Sequence, residues 1–176
     1  MRKDVYKYYT QICEHYSSMV FYIKNFEQIA MYKFINEETL DTFKAMINPI
    51  KETYNLFAYI CNSIKNNKFD NFIRVTKKDI DSTNDIINKL IDEQDIRNLS
   101  LIESLQQDVR DKIENYNLLL SVKILLNRPC KKHKWTKYYK SLPNNLKGIN
   151  SNIILNNLLT KNEVILDSIK EYIEKF

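Results

Sequence analysis

At 176 residues, 44% of them hydrophobic, the chain is long enough for one domain that buries about two thirds of its unfolded surface. This apolar content excludes a wholly disordered chain. The net charge is +5, but glycine is more informative, because Gly148 is the only one. Sheets rich in tight turns, Rossmann dinucleotide sites, P-loops and nucleophile elbows all need several glycines, so these classes are excluded.

Cysteine usage and the first residues predict an intracellular protein in a reducing compartment. Cys13, Cys61 and Cys130 are odd in number and far apart, and the opening MRKDVYKYYTQ lacks the apolar segment of a secretory signal. No apolar run approaches the roughly 20 residues that span a bilayer, so no transmembrane segment is expected. Abundant Asn, Lys, Ile and Tyr indicate a low-GC genome.

Apolar residues at steps of three and four predict long helices in the first third of the chain. The first covers residues 3–34, with a stripe of Val5, Tyr9, Ile12, Tyr16, Met19, Ile23, Phe26 and Ala30. Asn36 is suited to cap a second helix that continues to about residue 66. Because Pro49 lacks a backbone donor, we expect a kink there or two abutting helices.

The middle of the chain predicts a loop and two further helices. Lys65–Lys68 is polar and is the expected loop. Phe69, Phe72 and Ile73 are expected in a short helical turn. Thr76 with Asp79 resembles a capping box that opens a helix over 77–93. A second long helix is expected over 95–127, ended by Pro129.

The last part of the chain predicts shorter helices. The first covers 131–142 and ends at Pro143, and Gly148 follows as a turn. A short helix is expected over 151–159, and Thr160 with Glu163 forms a capping box for a last helix over 161–175.

Together these segments predict an all-α fold, an antiparallel helical bundle of five to six helices. We expect a single helical domain over 1–176, with a long-helix core at 1–127 and a basic C-terminal part with shorter helices at 128–176.

The positive charge is confined to one region, the basic stretch of residues 115–162. This stretch has no Asp or Glu and carries nine cations: Lys123, Arg128, Lys131, Lys132, Lys134, Lys137, Lys140, Lys147 and Lys161. Since the whole chain carries +5, the remainder carries −4. This contrast predicts a partner with negative charge.

Within the basic stretch, cations alternate with aromatic residues, a pattern typical of single-stranded nucleic-acid binding. We predict phosphate contacts and base stacking by a set of seven residues: Lys131, Lys132, Lys134, Trp135, Lys137, Tyr139 and Lys140. Other interpretations are a solvated basic helix whose aromatic residues are buried, and a surface for an acidic protein or an anionic membrane.

Arg128 and His133 form an R-x-x-x-x-H motif that resembles the signature of the HEPN family of helical-bundle ribonucleases. The resemblance covers six residues and implies that His133 transfers protons and that Arg128 stabilises charge on an RNA phosphodiester. This chain has Pro129 directly after the arginine, where the family often has a polar residue.

Two Cys–His pairs are candidate zinc ligands, because cysteine and histidine close together in the sequence can bind one metal ion. Cys130 and His133 lie three residues apart, whereas Cys13 and His15 lie two apart, on nearly opposite faces of a helix. We interpret them as two unrelated pairs and predict neither a metal nor a cofactor.

The sequence therefore favours a non-enzymatic binding or assembly subunit whose basic C-terminal surface contacts nucleic-acid backbone. One alternative is a protein–protein interaction module that uses exposed tyrosines of the first helix, because that helix has more aromatic residues than one buried stripe uses. The other is a HEPN-type ribonuclease using Arg128 and His133. The oligomeric state is left open.

Overall fold

The computed structural model describes residues 2–129, 131 and 134–176, and in this part of the chain every regular element is helical. The all-α prediction is therefore confirmed. The described residues form seven α-helices and one short 3₁₀ turn (Ile96–Asn98), so the predicted count of five to six helices is not confirmed. The α-helices are α1 (Lys3–Lys33), α2 (Glu37–Lys65), α3 (Phe69–Asp92), α4 (Leu99–Asn127), α5 (Trp135–Ser141), α6 (Asn144–Lys147) and α7 (Ser151–Ile173).

The chain divides into two compact units. Unit 1 comprises residues 1–62 and 155–176, and unit 2 comprises residues 63–154. The second unit therefore contains α3 to α6 together with the last residues of α2 and the first residues of α7.

In unit 1, aromatic and aliphatic side chains of three helices form one core. Phe26 of α1 stacks on Phe43 of α2, with ring centroids 4.0 Å apart, and Tyr16 stacks on Tyr54 at the same distance. Helix α7 adds a stripe of Leu166, Ile169 and Ile173 to this cluster. Stacked ring pairs contribute about 1 kcal/mol each beyond the area they bury, so these contacts fix α1 against α2.

Helices α1 and α7 are also joined by polar contacts. The hydroxyl of Tyr8 donates to Oδ1 of Asn156 over 3.1 Å. Two turns further along each helix, Nε2 of His15 lies 3.8 Å from Oε1 of Glu163. The hydroxyl of Tyr172 donates to the backbone carbonyl of Thr39 and so connects α7 with α2.

In unit 2, α3 and α4 pack through Ile80, Ile87 and Val109. Lys112 of α4 forms ion pairs with Asp79 of α3 at 2.9 Å and with Asp108 at 2.7 Å. The second half of α4 is buried around most of its circumference, from Leu118 to Leu125. A helix without a polar face must be enclosed by protein, so this segment is not a solvent-exposed part of α4.

No helix in the described part of the chain combines the length and the apolar character that crossing a membrane requires.

Most predicted helix boundaries agree with the structure, including the cap at Asn36, whose Oδ1 accepts from the backbone N–H of Thr39 at 2.9 Å. Two predicted capping boxes are wrong. Thr76 lies inside α3, and its hydroxyl donates to the carbonyl of Phe72. Thr160 lies inside α7. In both cases the apolar stripe continues across the threonine, and burial of that stripe outweighs the local capping preference.

Pro49 does not divide the second helix. Helix α2 runs from Glu37 to Lys65 with Pro49 inside it, so the alternative of two abutting helices is wrong. The carbonyl of Pro49 accepts from the hydroxyl of Thr53 over 2.9 Å. Ile50, adjacent to the proline, is buried in the core, and this packing holds the helix together despite the missing backbone donor.

Among the described residues, three interhelical connections use left-handed backbone at residues other than glycine. Phe34, Asn67 and Gln94 have φ values of 50°, 56° and 51°. Gly148 has a φ of −79°, which any residue adopts. The single glycine is therefore not at a position that needs one, and each left-handed residue carries a conformational cost of about 1 kcal/mol.

We predict that Phe34→Gly raises the free energy of unfolding by up to about 1 kcal/mol, because glycine adopts the left-handed region without a Cβ clash. The ring of Phe34 is 94% exposed, so its removal takes little from the core. Urea unfolding followed by circular dichroism measures the change, with Met31→Gly, inside α1, as the destabilising control. A loss of stability in Phe34→Gly would show that the left-handed turn costs nothing here.

Candidate anion-binding surface and cleft

The basic segment begins where α4 ends. Arg128 follows the last residue of α4 with an extended ψ of 127°, and Pro129 prevents the helix from continuing. The next helix, α5, begins at Trp135. The chain therefore leaves the buried end of α4 and presents its lysines on a short surface helix.

Four lysines of this segment form what we call the basic surface: Lys131, Lys134, Lys137 and Lys140. All four are exposed. Lys137 and Lys140 lie three residues apart on α5, and Lys134 immediately precedes that helix, so successive lysines project in directions about 60° apart. Among the described residues, none of the four forms an ion pair with a carboxylate. Their charge is available to an external anion.

Aromatic residues of α5 lie beside these lysines. The guanidinium carbon of Arg128 lies 4.5 Å from the centroid of the Trp135 ring, within range of a cation–π interaction. The Trp135 ring also contacts Tyr138 and Tyr139, at centroid distances of 5.6 and 6.4 Å. Trp135 is half-buried and Tyr139 is 42% exposed, so each retains some surface for contact.

Two tyrosine hydroxyls fix α5 to its surroundings. Tyr138 donates to the carbonyl of Ile124 in α4 over 3.1 Å, and Tyr139 donates to the carbonyl of Lys147 over 2.6 Å. Because both hydroxyls are engaged, the aromatic side of α5 is held in one orientation.

The structure separates some cations that the sequence groups together. Nζ of Lys123 lies 2.9 Å from Oδ1 of Asp70, so a carboxylate of α3 compensates this charge. Lys161 belongs to unit 1, whereas the basic surface belongs to unit 2. Cys130, Lys132 and His133 lie outside the described residues.

A cleft of about 470 Å³ adjoins α5 in unit 2. Its lining includes Ile124 and Leu125 of α4 and, from the next segment, Trp135, Tyr139 and Leu142. Further lining residues come from the end of α4, from α6 and from the start of α7: Arg128, Lys147, Gly148, Ile149, Asn150, Ser151 and Asn152. The volume lies within the roughly 300–1,000 Å³ typical of small-molecule sites.

Sequence reasoning missed most of this cleft. Lys147 and Arg128 were visible as cations, but nothing in the sequence associates them with Asn150 and Ser151. One sequence signal could have pointed to the cleft. Asn150 precedes a run of apolar residues with helical spacing, and an asparagine at this position is typical of an N-cap, where the first backbone N–H groups of a helix are free to bind a ligand.

The motif shared with HEPN ribonucleases is described only at its first residues. Arg128 stands after the end of α4 in extended backbone, and its guanidinium lies over Trp135. Since His133 lies outside the described residues, the proximity of the two side chains stays a prediction.

The first helix has both buried and exposed tyrosines. Tyr8 is buried, whereas Tyr6 and Tyr32 are 58% and 83% exposed. Met31 and Phe34 next to Tyr32 are also exposed, at 79% and 94%. The end of α1 thus presents an apolar patch of three residues, the α1 patch: Met31, Tyr32 and Phe34.

The described residues contain no group of three or more potential metal ligands. Of the Cys–His pair in α1, Cys13 retains a thiol and His15 faces Glu163. Burial raises the pKa of the nearby Cys61 thiol to about 11, with a further contribution from Cys13. Cys61 therefore stays protonated and a weak nucleophile at neutral pH.

Comparison of the chain with protein-family models, with curated proteins and with solved structures gives no significant match.

His15 makes the stability of unit 1 sensitive to acid. Burial lowers the pKa of His15 from its ordinary 6.5, and the carboxylates of Glu163 and Glu14 offset part of that effect. Its Nδ1 is buried and has no hydrogen-bond partner among the described residues. The folded state therefore binds a proton less readily than the unfolded state, so stability is retained above pH 6.5 and lost below it.

We predict that His15→Gln reduces the acid sensitivity of folding. The free energy of unfolding of the parent protein should fall as the pH decreases from 7.5 through 6.5 to 5.5, and the variant should lose less over this range. Urea titrations at each pH measure the difference, with His133→Gln as the matched histidine control. Parallel pH profiles for parent and His15→Gln would contradict the assignment.

Proposed function

We propose that this protein is a non-enzymatic binding or assembly subunit whose basic surface contacts the backbone of single-stranded nucleic acid. The observation that carries the proposal is the set of four exposed lysines without carboxylate partners among the described residues, next to Trp135 and Tyr139. Ammonium groups release counterions from phosphates, which supplies affinity independent of sequence.

The aromatic side chains favour nucleic acid over an anionic membrane or an acidic protein. Unpaired bases stack on aromatic rings, and each stack contributes about 1–3 kcal/mol. The partly exposed ring of Tyr139 and the half-buried Trp135 lie on the same helix as Lys137 and Lys140. A strand that follows the lysines would therefore have rings within reach of its bases.

For the fold, we propose an antiparallel helical bundle in a single domain. In support, the contacts Tyr16–Tyr54 and Phe26–Phe43 have residue numbers that rise in α1 and fall in α2. The ion pairs between α3 and α4 show the same trend, because Lys112 pairs with Asp79 and the later Lys123 pairs with the earlier Asp70. Such pairing is typical of consecutive antiparallel helices.

We predict that neutralising the basic surface greatly reduces the salt dependence of binding. The test compares the parent with a variant in which Lys131, Lys134, Lys137 and Lys140 are replaced by Gln, using fluorescence anisotropy of a labelled single strand. The slope of log K against log salt should decrease in magnitude by about three, because each phosphate contact on a single strand contributes about 0.7.

The matched control replaces four exposed lysines elsewhere with Gln: Lys24, Lys51, Lys78 and Lys89. It changes the net charge by the same amount and should leave most of the slope intact. Equal losses in the two variants would reduce the proposal to nonspecific attraction, and the absence of strand binding by the parent would refute it.

The α1 patch favours a second candidate function, protein–protein interaction. Met31, Tyr32 and Phe34 are all more than three quarters exposed, and tyrosine is enriched at interfaces. If this alternative holds, a protein partner that co-purifies with the parent from the native host should no longer co-purify when the three residues are replaced by Ser. The basic-surface variant would then retain the partner.

A non-enzymatic subunit should leave RNA intact. We therefore predict that pure protein and the His133→Ala variant show no difference in RNA integrity over hours at 37 °C, measured by gel electrophoresis. Cleavage by the parent that the His133→Ala or Arg128→Gln variant abolishes would instead support the HEPN-type ribonuclease.

A further inference from the structure

The cleft in unit 2 has a positive lining. Arg128 and Lys147 line it, both half-buried, and its lining residues include no carboxylate. The ammonium of Lys147 contacts only the neutral Oδ1 of Asn144, at 3.2 Å, among the described residues. Two cations therefore adjoin one cavity without compensation.

The start of α7 adds hydrogen-bond donors to this lining. Asn150 caps the helix, since its Oδ1 accepts from the N–H of Ile153 at 3.2 Å. The N–H groups of Ser151 and Asn152, the first two residues of α7, have no intrahelical acceptor, and neither bonds to another described residue. A helix of 23 residues also presents the positive end of its dipole there.

Ser151 supplies an observation independent of the helix terminus, because its hydroxyl is buried and has no hydrogen-bond partner among the described residues. Its side chain is buried, with 6% of its surface exposed, and its Oγ has no hydrogen-bond partner among the described residues. A buried hydroxyl without a partner is unfavourable, because it has lost its hydrogen bonds to water. Ser151 is also one of the residues that line the cleft.

We propose that the cleft binds a terminal phosphate group, a phosphate monoester carried by a nucleotide or by the end of a nucleic-acid strand. A monoester has a charge near −2 and three non-bridging oxygens. These properties match two cations, one hydroxyl and two backbone N–H groups better than those of an internal diester, which has one charge. If the phosphate belongs to the end of a nucleic-acid strand, the inference rests on the proposed function. In that case the strand follows the basic surface and its terminal phosphate binds in the cleft.

Trp135 provides a direct readout, because it is the only tryptophan of the chain and lines the cleft. We expect inorganic phosphate to change its fluorescence saturably, whereas chloride at equal ionic strength does not. A labelled strand with a 5′-phosphate should bind about tenfold more tightly than the same strand with a 5′-hydroxyl. Competition by a nucleoside monophosphate, but not by its nucleoside, identifies a free nucleotide as a source.

Three variants test the assigned donors. Ser151→Ala should weaken phosphate binding by roughly tenfold with no loss of thermal stability, because its hydroxyl makes no hydrogen bond in the unliganded protein. Arg128→Gln and Lys147→Gln should weaken it at least as much. Ser141→Ala and Lys78→Gln, outside the cleft, are the matched controls and should bind like the parent.

The outcomes separate this inference from the proposed function. If the variant lacking the four lysines of the basic surface retains the phosphate response, the cleft is an independent site. If no strand binds but phosphate still saturates the Trp135 signal, only the proposed function fails. Equal affinity for the two strand ends with no saturable response to phosphate, or a response unchanged in Arg128→Gln, Lys147→Gln and Ser151→Ala, would overturn the cleft assignment.

Discussion

The end of helix α4 is the constraint on which the candidate sites depend. The second half of α4 is buried around most of its circumference, and Pro129 prevents it from extending further. The chain must turn there, and the hydrogen bond from Tyr138 to the carbonyl of Ile124 holds α5 against that buried end. Arg128, Trp135 and the cleft are consequences of this one helix terminus.

The separation of basic from acidic residues along the chain determines which partners the basic surface can attract. Some cations of unit 2 are paired with carboxylates, as Lys112 is with Asp79 and Asp108 and Lys123 is with Asp70. The segment after Pro129 has no nearby carboxylate in its own sequence, so Lys134, Lys137 and Lys140 remain uncompensated among the described residues. Exposed single pairs contribute little to stability, so this arrangement costs the fold little and favours anion binding.

Helix boundaries show how far local sequence signals reach. The stripes of α1 and α2 and the cap at Asn36 were predictable, because a sustained apolar period has only one way to be buried. The capping boxes at Thr76 and Thr160 failed, since a favourable cap contributes about 1 kcal/mol and burial of a continuous stripe contributes much more. The alternative of two abutting helices at Pro49 failed for the same reason, with Ile50 buried beside the proline.

By itself, the sequence determined that the protein is helical and where its positive charge is concentrated, because apolar period and charge are properties of neighbouring residues. Only the tertiary structure decided which cations remain available and which residues share a cavity. Asp70 and Lys123 are far apart in the chain, as are Arg128 and Ser151, and their proximity follows from helix packing. Sequence spacing within one helix carries no information about such contacts between elements.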